Sequence, residues 1–223
     1  MLDDLVDPKR SDIRSRLYQL ADHEPRIIMG DDPRLPPMPA APTLLDFFRL
    51  RFANAEHLLQ SARLAMITGQ DEKVITACLL HDIAVVGFIR GDHGYWGEQM
   101  VAPYVDPEVA WAIRVHQALR FYPDESVGYS YPELYLKAFG EDYRPDPYIE
   151  QEYRRAKDHK WYMTGRLLTL HDLYAFDPDV TVQLDDFTDI IGRNFKQPAE
   201  GMGFDGSPCA HLWRTIIRPT KFL

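Results

Sequence analysis

Apolar residues recur every three or four positions from Thr43 to Gly69: Leu44, Leu45, Phe47, Phe48, Phe52, Ala55, Leu58, Leu59, Ala62 and Ala65. That period predicts a helix, and it carries His57. Asp71 is placed to cap the next one, in which Val74, Ile75, Ala77, Cys78, Leu79, Leu80 and Ile83 imply burial on nearly all sides. The pair His81-Asp82 falls in its last turns, before Gly87. A short helix is predicted around His93 to Tyr104. After it Asp106-Pro107 supplies a cap and a first-turn proline, and Val109, Ile113 and His116 then share one face. Asp146-Pro147 repeats that start signal, and the spacing predicts one long helix through Tyr153, Trp161 and Leu168 to Asp172, stopped by Pro178. Between them, Gly128 to Asp146 reads as an ordered insertion rich in tyrosine and proline, with a short helix at Pro132 to Phe139. A further helix is predicted over Asp186 to Asn194. No strand alternation or repeat interrupts the series, so the expected fold class is all-α.

The first 42 residues break this rhythm. Leu2 to Leu20 has room for a short helix, but Asp31 to Pro39 contains four prolines, each of which removes a backbone donor and restricts its predecessor. Residues 1–42 are therefore expected to be an arm lying on a helical domain of residues 43–223. At the other end, residues 201–208 read as loop and the tail from Leu212 is expected to pack down.

Composition narrows the function classes. Hydrophobic residues at 45% and charged residues at 26% of a 223-residue chain are those of an ordinary globular domain. No apolar run approaches the roughly 18 to 20 residues of a membrane span, and Met1-Leu2-Asp3-Asp4 lacks the basic-then-apolar order of a signal peptide. A cytoplasmic protein is expected, with no membrane partner. The net charge of −9 opposes nucleic-acid binding. Cys78 sits in an apolar run and Cys209 is the other cysteine, so no disulfide is expected.

The histidines change the picture most. His57, His81, Asp82, His93, His116 and Asp172 offer four imidazoles and two carboxylates on the predicted core helices, a donor set suited to iron, manganese or zinc. Adjacent helical residues point about 100° apart, so His81 and Asp82 cannot simply face one point from the same rotamer direction. Asp82 can instead bridge two ions while His81 serves one.

This order resembles the HD-domain superfamily, an all-helical fold named for its His-Asp pair, over about Leu44 to Pro178. The resemblance implies that His57, His81 and Asp172 hold one metal, His93 and His116 a second, with Asp82 bridging. The two later histidines resemble the dinuclear branch. The segments Asp92 to Glu98 and His116 to Tyr122 are similar to the oxygenase branch that includes 2-amino-1-hydroxyethylphosphonate dioxygenase, where a basic residue stands four after the histidine, here Arg120. His171-Asp172-Leu173-Tyr174 resembles the final-ligand region of myo-inositol oxygenase. The resemblance thus implies a mixed-valent Fe(II)/Fe(III) pair, dioxygen, and oxidative cleavage of a C–C or C–P bond in a small polar or anionic substrate. Arg120 would clamp the anion, and Tyr95 and Tyr122 would flank it. Ligand order alone leaves two alternatives open: a manganese- or other divalent-metal-dependent phosphohydrolase acting on a nucleotide or phosphoester, and a noncatalytic metal-stabilised binding protein. Glu98 is expected to orient an imidazole, His159 to lie on a solvated charged face, and His171 to point away from the metals.

Overall fold

The computed structural model describes residues 36–37, 39, 43–52, 55–86 and 92–196. Most of the expected arm, and the expected loop and tail after Gly201, lie outside them. Thr43 begins the first helix through a reciprocal capping box with Asp46, giving α1 (Leu44–Leu50). The helix predicted to run unbroken to Gly69 is in fact two, because Arg51 is buried and its Nη1 donates to the carbonyls of Pro36 and Leu50. Phe52 closes the end, its N–H reaching Phe47 O and its ring meeting Phe48 edge-on at 4.9 Å. The chain resumes as α2 (Glu56–Ile67).

Asp71 accepts from Lys73 N to start α3 (Glu72–Leu80), and all seven residues from Val74 to Leu80 are buried, as their apolar density required. There follow α4 (Ile83–Val86), α5 (His93–Val101) and α6 (Pro107–Leu119), the last capped by Asp106 with proline in its first turn. A 3-10 turn at Glu125–Val127 leads to α7 (Glu133–Phe139), the helix predicted within the tyrosine-rich insertion.

The long helix predicted from Pro147 to Asp172 is broken into α8 (Pro147–Ala156) and α9 (Tyr162–Leu173). Lys157-Asp158-His159-Lys160 offers no apolar position to bury, and turn bonds from His159 N to Ala156 O and from Tyr162 N to His159 O redirect the chain. The break lets α8 pack on α6 while α9 packs on α2, α3 and α6. A second 3-10 turn (Leu184–Phe187) runs into α10 (Thr188–Asn194), against α1 and α3.

Among the described residues there is no strand, and no helix is long and apolar enough to cross a membrane. The core is built on α3, with Leu58, Ala62 and Ala65 of α2, Val109, Ala112 and Ile113 of α6, and Leu168 of α9 fully or almost fully buried around it. Two glycines permit the closest crossings. A Cβ at Gly94 would stand 2.5 Å from Arg114 O, and one at Gly165 would stand 2.8 Å from Val115 Cγ2. At Gly94 the obstacle is backbone, which admits only glycine, and this crossing sets α5 against α6 at the level of His93 and His116.

Candidate metal centre

Each of the six residues comes from a different place in this packing. His57 is in the first turn of α2, and His81 is the residue that ends α3. Asp82 sits in the turn between α3 and α4, not inside a helix as the sequence suggested. His93 opens α5, His116 is near the end of α6, and Asp172 is in the last turn of α9. Helix ends that meet at one level deliver all six side chains to one point.

Asp82 divides the cluster. Its Oδ2 faces His57 Nε2 and His81 Nε2, each at 3.8 Å, and its Oδ1 faces His93 Nε2 at 3.3 Å and His116 Nε2 at 3.5 Å. Asp172 Oδ1 completes the first side, 3.0 Å from His57 Nε2 and 3.4 Å from His81 Nε2. His57, His81 and Asp82 bring three ligand atoms within 4.8 Å of one another, and so do Asp82, His93 and His116.

The tautomers make this arrangement hard to sustain without a cation. A carbonyl only accepts, so the bonds from His57 Nδ1 to Ala175 O (2.9 Å), from His81 Nδ1 to Cys78 O (2.8 Å) and from His116 Nδ1 to Ile113 O (2.5 Å) place the proton of each neutral ring on Nδ1. When the rings are neutral, the Nε2 atoms of His57, His81 and His116 carry lone pairs; Nε2 of His57 and His81 are 3.2 Å apart, and those of His93 and His116 are 3.0 Å apart. Asp82 Oδ1 is buried and meets no protein donor in hydrogen-bond geometry among the described residues. Imidazole nitrogens converging beside an orphaned carboxylate oxygen fit a bound metal, whose ligating imidazoles characteristically donate their other N–H to such carbonyls.

The charges adjust accordingly. Burial disfavours the His81 imidazolium, but Asp82 and Asp172 outweigh it and lift the group to about 8. Burial also pushes against ionising Asp82 and Asp172, and again loses: His81 and His116 lower the first, while Arg120, His81 and His57 lower the second. His116 is lowered, chiefly by burial. His57 and Asp82 keep 17% and 20% of their side-chain surface, whereas His81 and His116 keep none, so the cluster opens on the His57 and Asp82 side.

The structure reassigns several other expectations. Arg120 Nη2 donates to Asp172 Oδ2 at 2.5 Å, so this arginine orients the carboxylate and is not wholly free to clamp an anion. Tyr95 is on the outer side of α5, lining a separate cavity of about 310 Å³ with Trp96, Arg114 and Tyr148. Tyr122 stacks on Tyr153 at 3.8 Å. Neither tyrosine joins the six. Glu98 binds Arg114 (3.2 Å) rather than an imidazole, and His159 stacks on Trp111 at 4.1 Å rather than facing solvent alone. His171 does point away, bonded to Leu167 O and Thr68 Oγ1, so the second His-Asp dipeptide supplies only its aspartate. Cys78 is a buried free thiol.

Three neighbours were not singled out from sequence. Phe176 stacks on the His57 ring at 4.2 Å. Arg120 lies 5.9 Å from the ring centre of Tyr135, a residue of the insertion helix α7 whose phenol is held at about 12, mainly by burial, with Asp172 and Asp82 adding to it against Arg120. Buried Arg166 donates to Leu119 O and Tyr122 O and so braces the end of α6 that bears His116 and Arg120. Phe176 lies outside any helix, and Tyr135 and Arg166 are an aromatic and a basic position within helices, so apolar spacing did not mark them.

Residues 54–157 match the family model of the HD domain, a stretch that holds His57, His81, Asp82, His93 and His116 and ends before Asp172. No curated protein matches the chain.

Proposed function

We propose, from the match of residues 54–157 to the HD domain, a family of typically metal-dependent enzymes, that this chain is an HD-domain protein and that its six-residue cluster is a two-metal catalytic centre of an oxygenase acting on a small anionic substrate. One observation carries the reading: Asp82 turns one carboxylate oxygen to each histidine pair, so the His93 and His116 side is served by two imidazoles and one carboxylate, and the His57 and His81 side by two imidazoles and, with Asp172, two carboxylates. Two histidines and one carboxylate with open positions are the donor set of nonheme iron oxygenases. His57, His81 and Asp172 would hold one ion, His93 and His116 the other, and Asp82 both. Iron bound there supplies the redox chemistry for oxidative cleavage by dioxygen, and manganese or another divalent ion would instead supply Lewis acidity.

The protein's own groups do the rest. Arg120 keeps Asp172 turned so that Oδ1 faces His57 and His81, and its positive charge beside the centre favours an anion. Its Nε and Nη1 have no protein acceptor among the described residues and are available to a phosphonate or carboxylate. Tyr135, protonated at neutral pH, adds a hydroxyl donor on the same side as Arg120. Buried His81, His116 and Asp172 keep bulk water away from the inner side of the cluster, and access is from the His57 and Asp82 edge.

Anaerobic reconstitution with Fe(II), partial oxidation and EPR test this reading. A mixed-valent diiron signal and substrate-dependent oxygen uptake are expected, whereas mononuclear or purely diamagnetic iron would overturn it. A phosphohydrolase is the second reading, favoured by the HD-domain match itself. It predicts phosphate release from phosphoesters with Mn²⁺ in the absence of oxygen.

A further inference from the structure

Gln60 stands one helical turn after His57 on α2 and is almost fully buried. Its side chain engages the segment after α9 in both directions. Nε2 donates to Asp177 O (2.7 Å) and Val180 O (2.8 Å), and Oε1 accepts from Asp177 N (2.9 Å). The exchange with Asp177 uses both backbone groups of one residue, as a neighbouring strand would. Two residues before Asp177 is Ala175, whose carbonyl receives the Nδ1 proton of His57, and between them Phe176 lies flat on the His57 ring.

The bonds form a closed circuit from α2 through Gln60 to Asp177, back along the chain to Ala175, and through His57 into α2 again. Ala175 has left the helix, so its carbonyl direction is not set by a helical ladder. Phe176 is 69% exposed, and its stacking does not by itself anchor the segment. Pinning at Asp177 and Val180 supplies that anchor. We propose that Gln60 is a positioning residue for the centre: by holding the Ala175 carbonyl against Nδ1 it keeps the His57 proton there and Nε2 bare as the donor to the first metal. The inference rests on the metal-centre reading for its purpose, but the bond between His57 Nδ1 and the Ala175 carbonyl exists in the metal-free chain.

The test uses full-length protein with ¹⁵N-labelled histidine and two variants, Gln60→Met, which keeps length and apolar burial, and Gln60→Glu, which keeps the acceptor for Asp177 N and loses both donated bonds. In metal-free wild-type protein, His57 Nδ1 is expected to report a protonated nitrogen hydrogen-bonded to a carbonyl. In both variants that signal should lose its hydrogen-bonded character, with His81 and His116 unchanged. Titration with Mn²⁺ should then show affinity at the His57 side reduced about 10- to 100-fold, the usual effect of removing a group that orients a ligand, and affinity at the His93 and His116 side within about twofold of wild type. A folded variant whose His57 Nδ1 signal is unchanged, or equal weakening of both sides, overturns the proposal. Failure of the wild-type protein to take up Mn²⁺ would instead overturn the metal-centre reading, and the Nδ1 comparison would still decide the role of Gln60.

Discussion

Asp82 can serve two sides because it stands in a turn, where its carboxylate is not committed to the face of a helix. Among the described residues the side formed by His93 and His116 has no other carboxylate, so neutralising Asp82 should cost that side its anionic donor. Asp82→Asn is expected to lower Mn²⁺ or iron uptake from two ions to at most one per chain, measured by elemental analysis after gel filtration. His81 gives a pH dependence of definite sign. Its metal-free pKa of about 8 lies above the usual imidazole value, so a proton competes with the metal below that pH and not above it. Affinity at the His57 and His81 side should be level above pH about 8 and fall by about tenfold for each unit below it, because a ligating imidazole must be neutral. Mn²⁺ titrations at several pH values would read this directly, and an affinity that improves toward acid would contradict the assignment. Arg120 bears on Asp172, and Arg120→Met, which leaves that buried carboxylate short of its partner, should weaken metal binding as well as any anionic substrate. A pure substrate contact would affect KM alone.

Helix crossings decide whether these side chains meet. At Gly94 a methyl group would collide with the backbone of α6, and backbone cannot rotate aside as a flexible side chain can. Gly94→Ala is expected to destabilise the fold by about 1 to 3 kcal/mol and to weaken the His93 and His116 side more than the His57 side. Gly192→Ala is the matched control. Nothing lies within 4 Å of that added Cβ in α10, so a neutral or slightly stabilising change is expected in thermal unfolding. The break between α8 and α9 belongs to the same scale. Four polar residues with nothing to bury allow two helices to take two directions, and only the second carries Asp172 to the cluster.

For the molecule as a whole, the six residues come from α2, α5, α6, α9, the end of α3 and the turn after it, so a metal held by them would cross-link distant parts of the chain. An ion that binds the folded state alone should stabilise it by about 2.7 kcal/mol at a hundredfold excess over Kd. For a domain of this size that corresponds to a rise in Tm of roughly 5 to 10 °C. Calorimetry with and without chelator would measure it, and an unchanged Tm despite metal uptake would mean that the site also forms in the unfolded chain.

The all-helical class, the caps at Asp71 and Asp106, the burial of α3 and the six residues that gather in the cluster were all legible in the sequence, because periodicity and residue chemistry are local properties. The two helix breaks were not. Arg51 and Lys157 to Lys160 interrupt patterns that run on through them, and only packing against other elements shows where the chain must turn. Nor did spacing reveal that Arg120 is bound to Asp172, that Tyr95 and Tyr122 lie apart from the cluster, or that Gln60, Phe176 and Tyr135 lie close to it. The sequence by itself determined which atoms are available to a metal. The tertiary structure decided which of them face one another, which tautomers they hold and which side stays open, since those depend on contacts between residues more than a hundred positions apart, as between His57 and Ala175.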